Sequence, residues 1–239
     1  MSKTRSERRR RARATLLASM LAGFVAGCAG TAPAGKPVDA GLARAQPANE
    51  TSVLPAEKER ARVQVDGELG FTVTEVVHIG SDVRADYQQA VAMLQQNRLA
   101  EGITLLEGVV ERAPGLTAPR VDLGVAYARS GEWEKAEKSL VAALALAPNH
   151  PAALNELGIV YRREGNFGAA RASYEHALRV HPSYHYALRN LGVLCDLYLE
   201  DLPCALENYQ SYAEIVPDDA QVGVWIADLR TRLGVAIQE

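Results

Sequence analysis

Three prolines set a spacing that runs through most of the chain. Pro114, Pro148 and Pro182 are each separated by 34 residues. A period of this length predicts helix pairs that bury their apolar faces only by stacking on their neighbours. The other recurring positions, each offset by 34, are Leu123 and Leu157, Gly124 and Gly158, Tyr127 and Tyr161, Gly131 and Gly165, Trp133 and Phe167, Ala136 and Ala170, Leu140 and Tyr174, and Ala143 and Ala177.

Several recurring residues have a mechanical reason for their position. A missing side chain at Gly124 and Gly158 lets two helices approach closely, and Gly131 and Gly165 end the first helix because a left-handed residue costs glycine little. The prolines stop the second helix. This pattern resembles the tetratricopeptide repeat over residues 81–236. The resemblance implies an all-α fold, a right-handed superhelix whose inner groove binds other proteins.

The flanking segments extend this pattern to about four repeats and a final helix. Before the two clear repeats, apolar positions continue at Ala90, Met93, Leu94, Leu99, Leu106 and Val109. After them, Leu188, Leu191, Gly192, Ala205, Tyr209, Tyr212 and Pro217 fit if one residue is inserted near Leu199–Pro203. A capping helix is predicted from Val222, Trp225, Ile226, Leu229 and Leu233, which recur at helical spacing.

Residues 61–80 precede the repeats and have a different pattern. Alternating valines around Phe71 favour extended structure, with a hairpin turn at Asp66 and Gly67. A hairpin alone is only marginally stable, so we expect it to pack on the first repeat or pair with a partner. A partly ordered extension is the alternative.

The N-terminus carries the signature of an exported chain. Residues 1–27 hold seven Lys or Arg and one Glu, and their apolar stretch of 14 residues is too short to span a bilayer. The residues before Cys28 resemble the lipobox of bacterial lipoproteins, which implies lipidation of Cys28 after removal of a signal peptide. Ala29, in place of Asp, then favours the outer membrane. An ordinary signal peptide with a chance cysteine, or an uncleaved anchor, are the alternatives.

Residues 28–60 are rich in Ala, Pro and Gly and predict a flexible tether between the lipidated cysteine and the repeats.

Composition excludes several functional classes. The chain beyond residue 27 holds 19 basic and 28 acidic residues, a charge balance that disfavours nucleic-acid binding. We find no phosphate-binding loop, nucleophile elbow or zinc-protease motif, so we expect no enzyme activity, cofactor or small-molecule substrate. His181 and His185 invite a metal interpretation, but Pro182 lies between them and His181 falls at a repeat junction, where solvated polar residues are expected. We therefore predict no metal site.

The resemblance implies that the groove is lined by fixed positions in the first helix of each repeat. Five arginines there face one acid, Asp196, and arginine beside tyrosine suits an acidic peptide or a terminal carboxylate. A solvated helix face with incidental arginines is the alternative. The predicted partner-binding residues are Arg84, Tyr87, Arg129, Asn155, Arg162, Arg163, Tyr186 and Arg189.

The fourth repeat contains Cys195 and Cys204, nine residues apart. Export would place them in an oxidising compartment, where a disulfide could brace the irregular turn. Free buried thiols are the alternative, since Cys195 replaces a core tyrosine.

Together these features predict a lipid-anchored periplasmic scaffold that binds a partner protein of a cell-envelope assembly. Resemblance to repeat lipoproteins makes pilus or secretion-system biogenesis the leading specific role. An accessory subunit of an envelope enzyme complex, for polysaccharide synthesis or peptidoglycan remodelling, is the alternative.

Overall fold

A computed structural model describes residues 61–67, 70–75 and 77–234, which belong to one compact unit. The predicted signal peptide, the lipidated Cys28 and the tether of residues 28–60 lie outside the described residues. Within these ranges, no helix is long and apolar enough to cross a membrane.

The described residues form a short hairpin followed by a series of helices of similar length. The prediction of four helix pairs, a final helix and a short β segment is confirmed. The elements are β1 (Arg62–Asp66), β2 (Gly70–Thr74), α1 (Ser81–Gln95), α2 (Leu99–Arg112), α3 (Ala118–Ser130), α4 (Trp133–Leu146), α5 (Pro151–Arg163), α6 (Phe167–Val180), α7 (His185–Leu197), α8 (Leu202–Ile215) and α9 (Ala220–Leu233).

In repeats two, three and four, the two helices approach closely because one residue of the first helix lacks a side chain. A Cβ at Gly124 would lie 2.6 Å from Leu140 Cγ, and one at Gly158 would lie 2.5 Å from Tyr174 Cε1. These large partners are fully buried. The space that each glycine leaves is therefore filled by the second helix of the same repeat.

The turn inside each repeat uses one residue in a left-handed conformation. Gly131 and Gly165 have φ of 83° and 79°, as their spacing predicts. Asn97 and Glu200 take the same role in the first and fourth repeats, with φ of 61° and 55°. The fourth turn also contains the extra residue expected from the sequence, since α7 ends at Leu197 and α8 begins at Leu202.

The helices form two layers. Each odd-numbered helix packs against the even-numbered helix that follows it, and α1, α3, α5 and α7 also pack against one another in order. Contact along the odd-numbered helices places them on the inner side of the curved stack. The core between the layers contains fully buried Leu106, Leu140, Tyr174 and Tyr209.

The hairpin joins β1 and β2 in an antiparallel register with Val63 opposite Val73 and Val65 opposite Phe71. Its turn passes through Gly67, whose φ of 72° favours glycine. Alternation along the strands places the valines and Phe71 on one face and polar side chains on the other. The hairpin turn predicted at residues 66 and 67 is present.

The hairpin lies along the loops that connect successive repeats. Glu75 accepts a hydrogen bond from the backbone N–H of Thr117, at the start of α3, with N and O 2.8 Å apart. Phe71 packs edge-on against His150 and Tyr184, with ring centroids 5.3 and 6.0 Å apart, at the starts of α5 and α7. The hairpin was expected to pack on the first repeat or to pair with a partner, and its contacts in the described chain are with repeats two, three and four.

A cleft of about 620 Å³ continues this contact at the tip of the hairpin. It is lined by Val65 and Gly67 on one side and by Glu214 and Ile215 of α8 on the other. The hairpin therefore extends along the stack from its first junction to its last pair of helices.

His181 is fully buried, so the expectation of a solvated residue at this junction is wrong. The same repeat position holds Ala113 and Ala147, which are also buried. His181 Nε2 has no hydrogen-bond partner among the described residues, and burial lowers the pKa of this imidazole. Comparison of the register with these two alanines could have predicted a buried site.

The fourth repeat contains a disulfide at its turn. The sulfurs of Cys195 and Cys204 are bonded, with an S–S distance of 2.10 Å. Asp201 lies close to both sulfurs but caps α8 and forms an ion pair with Arg171, with N and O 2.9 Å apart. These potential metal ligands are therefore occupied by bonds that fix the corner between α7 and α8.

Candidate partner-binding groove

The inner face of the odd-numbered helices forms the candidate groove. With the repeats counted from Val83, Thr117, Pro151 and His185, the family resemblance places the second, fifth, ninth, twelfth and thirteenth positions of each repeat on this face. The eight residues predicted to bind a partner all lie in α1, α3, α5 or α7. Their surroundings differ, and these differences decide which of them a partner can reach.

Three groove arginines are held against aromatic rings. The guanidinium carbon of Arg163 lies 5.7 Å from the ring centroid of Trp133, in the preceding repeat. Arg162 lies 5.7 Å from the ring of Tyr198. Stacking on a ring orients a guanidinium and leaves its N–H edges free for a carboxylate. Arg163 is exposed, whereas Arg162 is half-buried.

The third stacked arginine lies at the C-terminal end of the groove. The guanidinium carbon of Arg189 is 5.4 Å from the ring centroid of Trp225 in α9. Asp196, the acid predicted to face the groove, forms an ion pair with Arg232 of α9, with N and O 2.8 Å apart. The final helix therefore occupies part of the groove surface of the fourth repeat.

Arg129 and Arg84 differ in what holds them. Arg129 donates to the carbonyl of Leu94 at 3.2 Å and to Asn97 Oδ1 at 3.0 Å, so it caps the end of α1. Arg84 is exposed and forms no ion pair with any described residue. Arg84 is thus free to meet a partner, and Arg129 has a structural role as well.

Tyr87 is also tied into the fold. Its hydroxyl donates to Asp122 Oδ2 with the oxygens 2.6 Å apart, which joins α1 to α3. Burial raises the pKa of Asp122, and the hydrogen bond from Tyr87 opposes that rise. Asp122 was not predicted as a groove residue because it lies one position beyond Val121, the fifth residue of its repeat.

Asn155 is only 2% exposed, so a partner cannot reach it in this structure. Its side chain donates to Glu156 at 3.0 Å and accepts from Asn190 Nδ2 at 2.9 Å, which links α5 to α7. Burial raises the pKa of Glu156, and the hydrogen bond from Asn155 lowers it. This residue was predicted as part of the binding groove, but its polar atoms are used between the repeats.

Exposed apolar side chains accompany the arginines. Tyr186, a predicted groove residue, is 56% exposed, and Leu197 and Val224 are 67% and 68% exposed. Val224 lies in α9 at the position that corresponds to the fifth residue of a repeat. Apolar surface in the C-terminal half of the groove suits a segment that is partly hydrophobic.

Charge pairing differs between the two layers of the stack. In the outer layer, Arg112 and Arg171 form ion pairs with N and O 2.6 and 2.9 Å apart. Among the described residues, none of Arg84, Arg129, Arg162, Arg163 and Arg189 has such a partner. The groove therefore carries guanidinium charge that the fold does not neutralise.

A curved stack of antiparallel helix pairs with an open inner face defines an α-solenoid, a class of fold that offers extended binding surfaces. Residues 116–183 and residues 156–220 each match a model of the tetratricopeptide repeat. The repeats within residues 116–220 are therefore tetratricopeptide repeats, as their 34-residue period predicts. Proteins of this fold are scaffolds for protein–protein interaction.

Solved structures share the architecture. MamA from Desulfovibrio magneticus RS-1 is similar with a TM-score of 0.59 at 20% identity, over 66% of this chain and 89% of that chain. A tetratricopeptide repeat protein from Parabacteroides merdae ATCC 43184 gives 0.56 at 19% identity, over 65% and 61%. At this level of identity the likeness concerns the fold. Among curated proteins, none matches the chain.

Proposed function

We propose that the protein is a lipid-anchored scaffold of the cell envelope that holds a partner protein in its tetratricopeptide groove. A lipid on Cys28 would attach it to the periplasmic face of the outer membrane, and residues 28–60 would hold the repeats away from the lipid surface. The lipobox-like residues before Cys28 and the basic head of the chain support this location. Pilus or secretion-system assembly is the leading specific role.

The observation that carries the proposal is the unneutralised charge of the groove. Arg84 and Arg163 are exposed and form no ion pair among the described residues, while Tyr186 and Leu197 offer apolar surface further along the groove, in α7. A guanidinium that is already oriented can form two parallel hydrogen bonds with a carboxylate. The partner segment is therefore acidic and contains apolar side chains, and it binds in an extended form along the odd-numbered helices.

Site-specific photo-crosslinking in cells tests where the partner binds. A photoreactive residue at Tyr186 should capture a partner, since this side chain is exposed in the groove. The same residue at Val141, which is 47% exposed on α4 of the outer layer, is the matched control. Equal capture at both positions, or capture only at Val141, would contradict groove binding.

Charge reversal tests the chemistry of recognition. Arg84→Glu with Arg163→Glu should abolish the crosslink from Tyr186, while Arg179→Glu, an exposed arginine of α6 without an ion pair in the described chain, should leave it unchanged. The identity of the captured protein separates the two roles. A pilus or secretion component supports the proposed one, and a synthase or hydrolase supports the accessory-subunit alternative.

Attachment to the membrane is tested separately. Metabolic labelling with a fatty acid should mark the wild-type protein, and Cys28→Ser should remove both the label and sedimentation with the membrane fraction. A labelled Cys28→Ser variant, or an unlabelled wild type, would contradict lipidation at Cys28 without bearing on the groove.

A further inference from the structure

The outer edge of β1 lacks a strand partner among the described residues. β1 pairs with β2 on one side only, in a sheet of two strands. Four of its five residues are exposed, and only Val63 is half-buried. Such an edge presents backbone N–H and C=O groups that can pair with another strand. A sheet of two strands is also marginally stable, so an added strand would strengthen it.

The sequence of β1 is complementary to itself. It reads Arg62-Val63-Gln64-Val65-Asp66, with one basic and one acidic end. If a second copy pairs antiparallel with the register centred on Gln64, Arg62 lies opposite Asp66 of that copy, and Val63 lies opposite Val65. Opposite charges that face each other across strands are favourable, and like charges are not. Each copy contributes both charges, so the dimer has two such pairs.

The backbone pattern permits the same register. Residues two apart on a strand direct their hydrogen-bonding groups to the same edge. Arg62 and Asp66 are separated by four residues, and Val63 and Val65 by two. In this register, the two residues of each pair therefore direct their backbone hydrogen-bonding groups to the same edge of β1. This holds whichever of the two alternating sets of residues faces the second copy. A register shifted by one residue would lose this match as well as the charge pairs.

The charged ends of β1 are available for this pairing. Among the described residues, neither Arg62 nor Asp66 forms an ion pair. Asp66 accepts a hydrogen bond from the hydroxyl of Thr72, which lies on the same face of the hairpin. Val65, on the opposite face, is 40% exposed. A second hairpin would continue this apolar face across the new strand pair.

We propose that β1 is a dimerisation edge, and that two copies of this protein form one sheet of four strands through antiparallel pairing of their β1 strands. The closed two-fold arrangement uses the same residues of both copies, which limits the assembly to two. The contact is small, so the dimer forms reversibly with protein concentration. The inference does not depend on the partner in the groove or on the lipid.

Sedimentation velocity of the purified full-length protein over a range of concentrations tests the proposal. Wild type should pass from monomer to dimer as concentration rises. Arg62→Asp and Asp66→Arg should each raise the dissociation constant about tenfold, because each places like charges opposite each other at two sites. The swapped variant that carries both changes should return towards the wild-type value. A wild type that stays monomeric, or a swap that binds no better than either single change, would overturn the proposal.

Cysteine cross-linking locates the contact independently. In a Cys28→Ser background, Gln64→Cys places two thiols at the centre of the proposed register and should form a disulfide-linked dimer under mild oxidation. Thr74→Cys, an exposed position on β2, is the matched control and should remain monomeric. Equal cross-linking at both positions would show that the copies meet through another surface and would reject pairing through β1.

Discussion

Gly158 illustrates how one missing side chain sets the distance between two helices. A Cβ at this position would lie 2.5, 2.7 and 2.9 Å from three ring atoms of Tyr174. The tyrosine is fully buried, so its ring has no free space into which it could move. By contrast, Gly168 in α6 has no atom within 4 Å of such a Cβ.

Gly158→Ala should therefore lower the free energy of unfolding by about 1–3 kcal/mol, because the added methyl group overpacks the core. Gly168→Ala should leave stability unchanged or raise it by up to about 1 kcal/mol, since alanine favours a helix more than glycine does. Urea denaturation of both variants provides the measurement. Similar effects of the two substitutions would contradict the close approach.

The structural roles of the recurring glycines and prolines could be predicted from the sequence, because each of these residues acts through its own backbone. The left-handed backbone conformation of Asn97 and Glu200 could not be predicted in this way, since sterics do not require either residue type at such a position. The contact between Phe71 and Tyr184 joins residues more than 100 positions apart in the chain. Local patterns carry no information about such a contact.

The hairpin and the junction loops depend on neutral histidines. His150 Nδ1 accepts a hydrogen bond from the backbone N–H of Ala153 at 3.2 Å, so this nitrogen carries no proton. The ring also packs against Phe71 of the hairpin. Burial lowers the pKa of His150, His181 and His185, and His181 lowers that of His185 further.

Stability should consequently fall in mild acid. Above about pH 7.5 these histidines are neutral in both states and contribute no pH dependence. Below the unfolded-state pKa of about 6.5, the unfolded chain binds protons that the folded chain does not, so the free energy of unfolding decreases as the pH falls. The decrease levels off once the pH passes the lowered folded-state values.

Urea denaturation between pH 7.5 and 5 measures this slope. His150→Asn should make it shallower while it keeps the helix capped, because asparagine is a preferred residue at that position. If His150→Asn has the wild-type slope, His150 does not contribute to the acid sensitivity.

The Cys195–Cys204 disulfide closes the corner between α7 and α8. Reduction of the Cys195–Cys204 disulfide should lower the free energy of unfolding by about 2–3 kcal/mol, because the open chain gains conformational freedom when unfolded. Thermal denaturation with and without dithiothreitol measures the change. The double variant Cys195→Ala with Cys204→Ala should have the same thermal stability with and without dithiothreitol. A dithiothreitol effect in that variant would assign the loss of stability to another cause.

The family register places the predicted groove residues on the odd-numbered helices, but it treats each side chain separately. The stacking of Arg163 on Trp133 joins the thirteenth position of one repeat to the seventeenth of the repeat before it. The use of Tyr87 and Asn155 between repeats likewise depends on neighbours that a single-repeat pattern does not contain.

The helix α9 covers the C-terminal end of the described stack. Its Val222 and Leu229 are fully buried, and its Trp225 lies 5.1 Å from the ring of Tyr209. Without this helix the apolar surface of the fourth repeat would be open to water. The last repeat of a solenoid depends on such a cap for its solubility and stability.

Leu229→Ala should lower the free energy of unfolding by about 2–5 kcal/mol, as expected for a fully buried leucine. Val224→Ala, in the same helix but exposed, should have little effect. Hydrogen exchange should show that protection is lost first in α7 and α8 and persists in α3 and α4. Uniform loss along the chain would show that the stack opens as one unit.

The position of the hairpin has a mechanical consequence. A solenoid held together only by contacts between neighbouring repeats stretches or twists at a small cost in free energy. Here a tie of fixed length runs along one edge, from Glu75 at the second repeat through Phe71 to Val65 beside the fourth. Such a tie resists stretching of that edge and fixes the curvature before any partner arrives. A partner then binds a pre-organised surface, so less conformational entropy is lost when the complex forms.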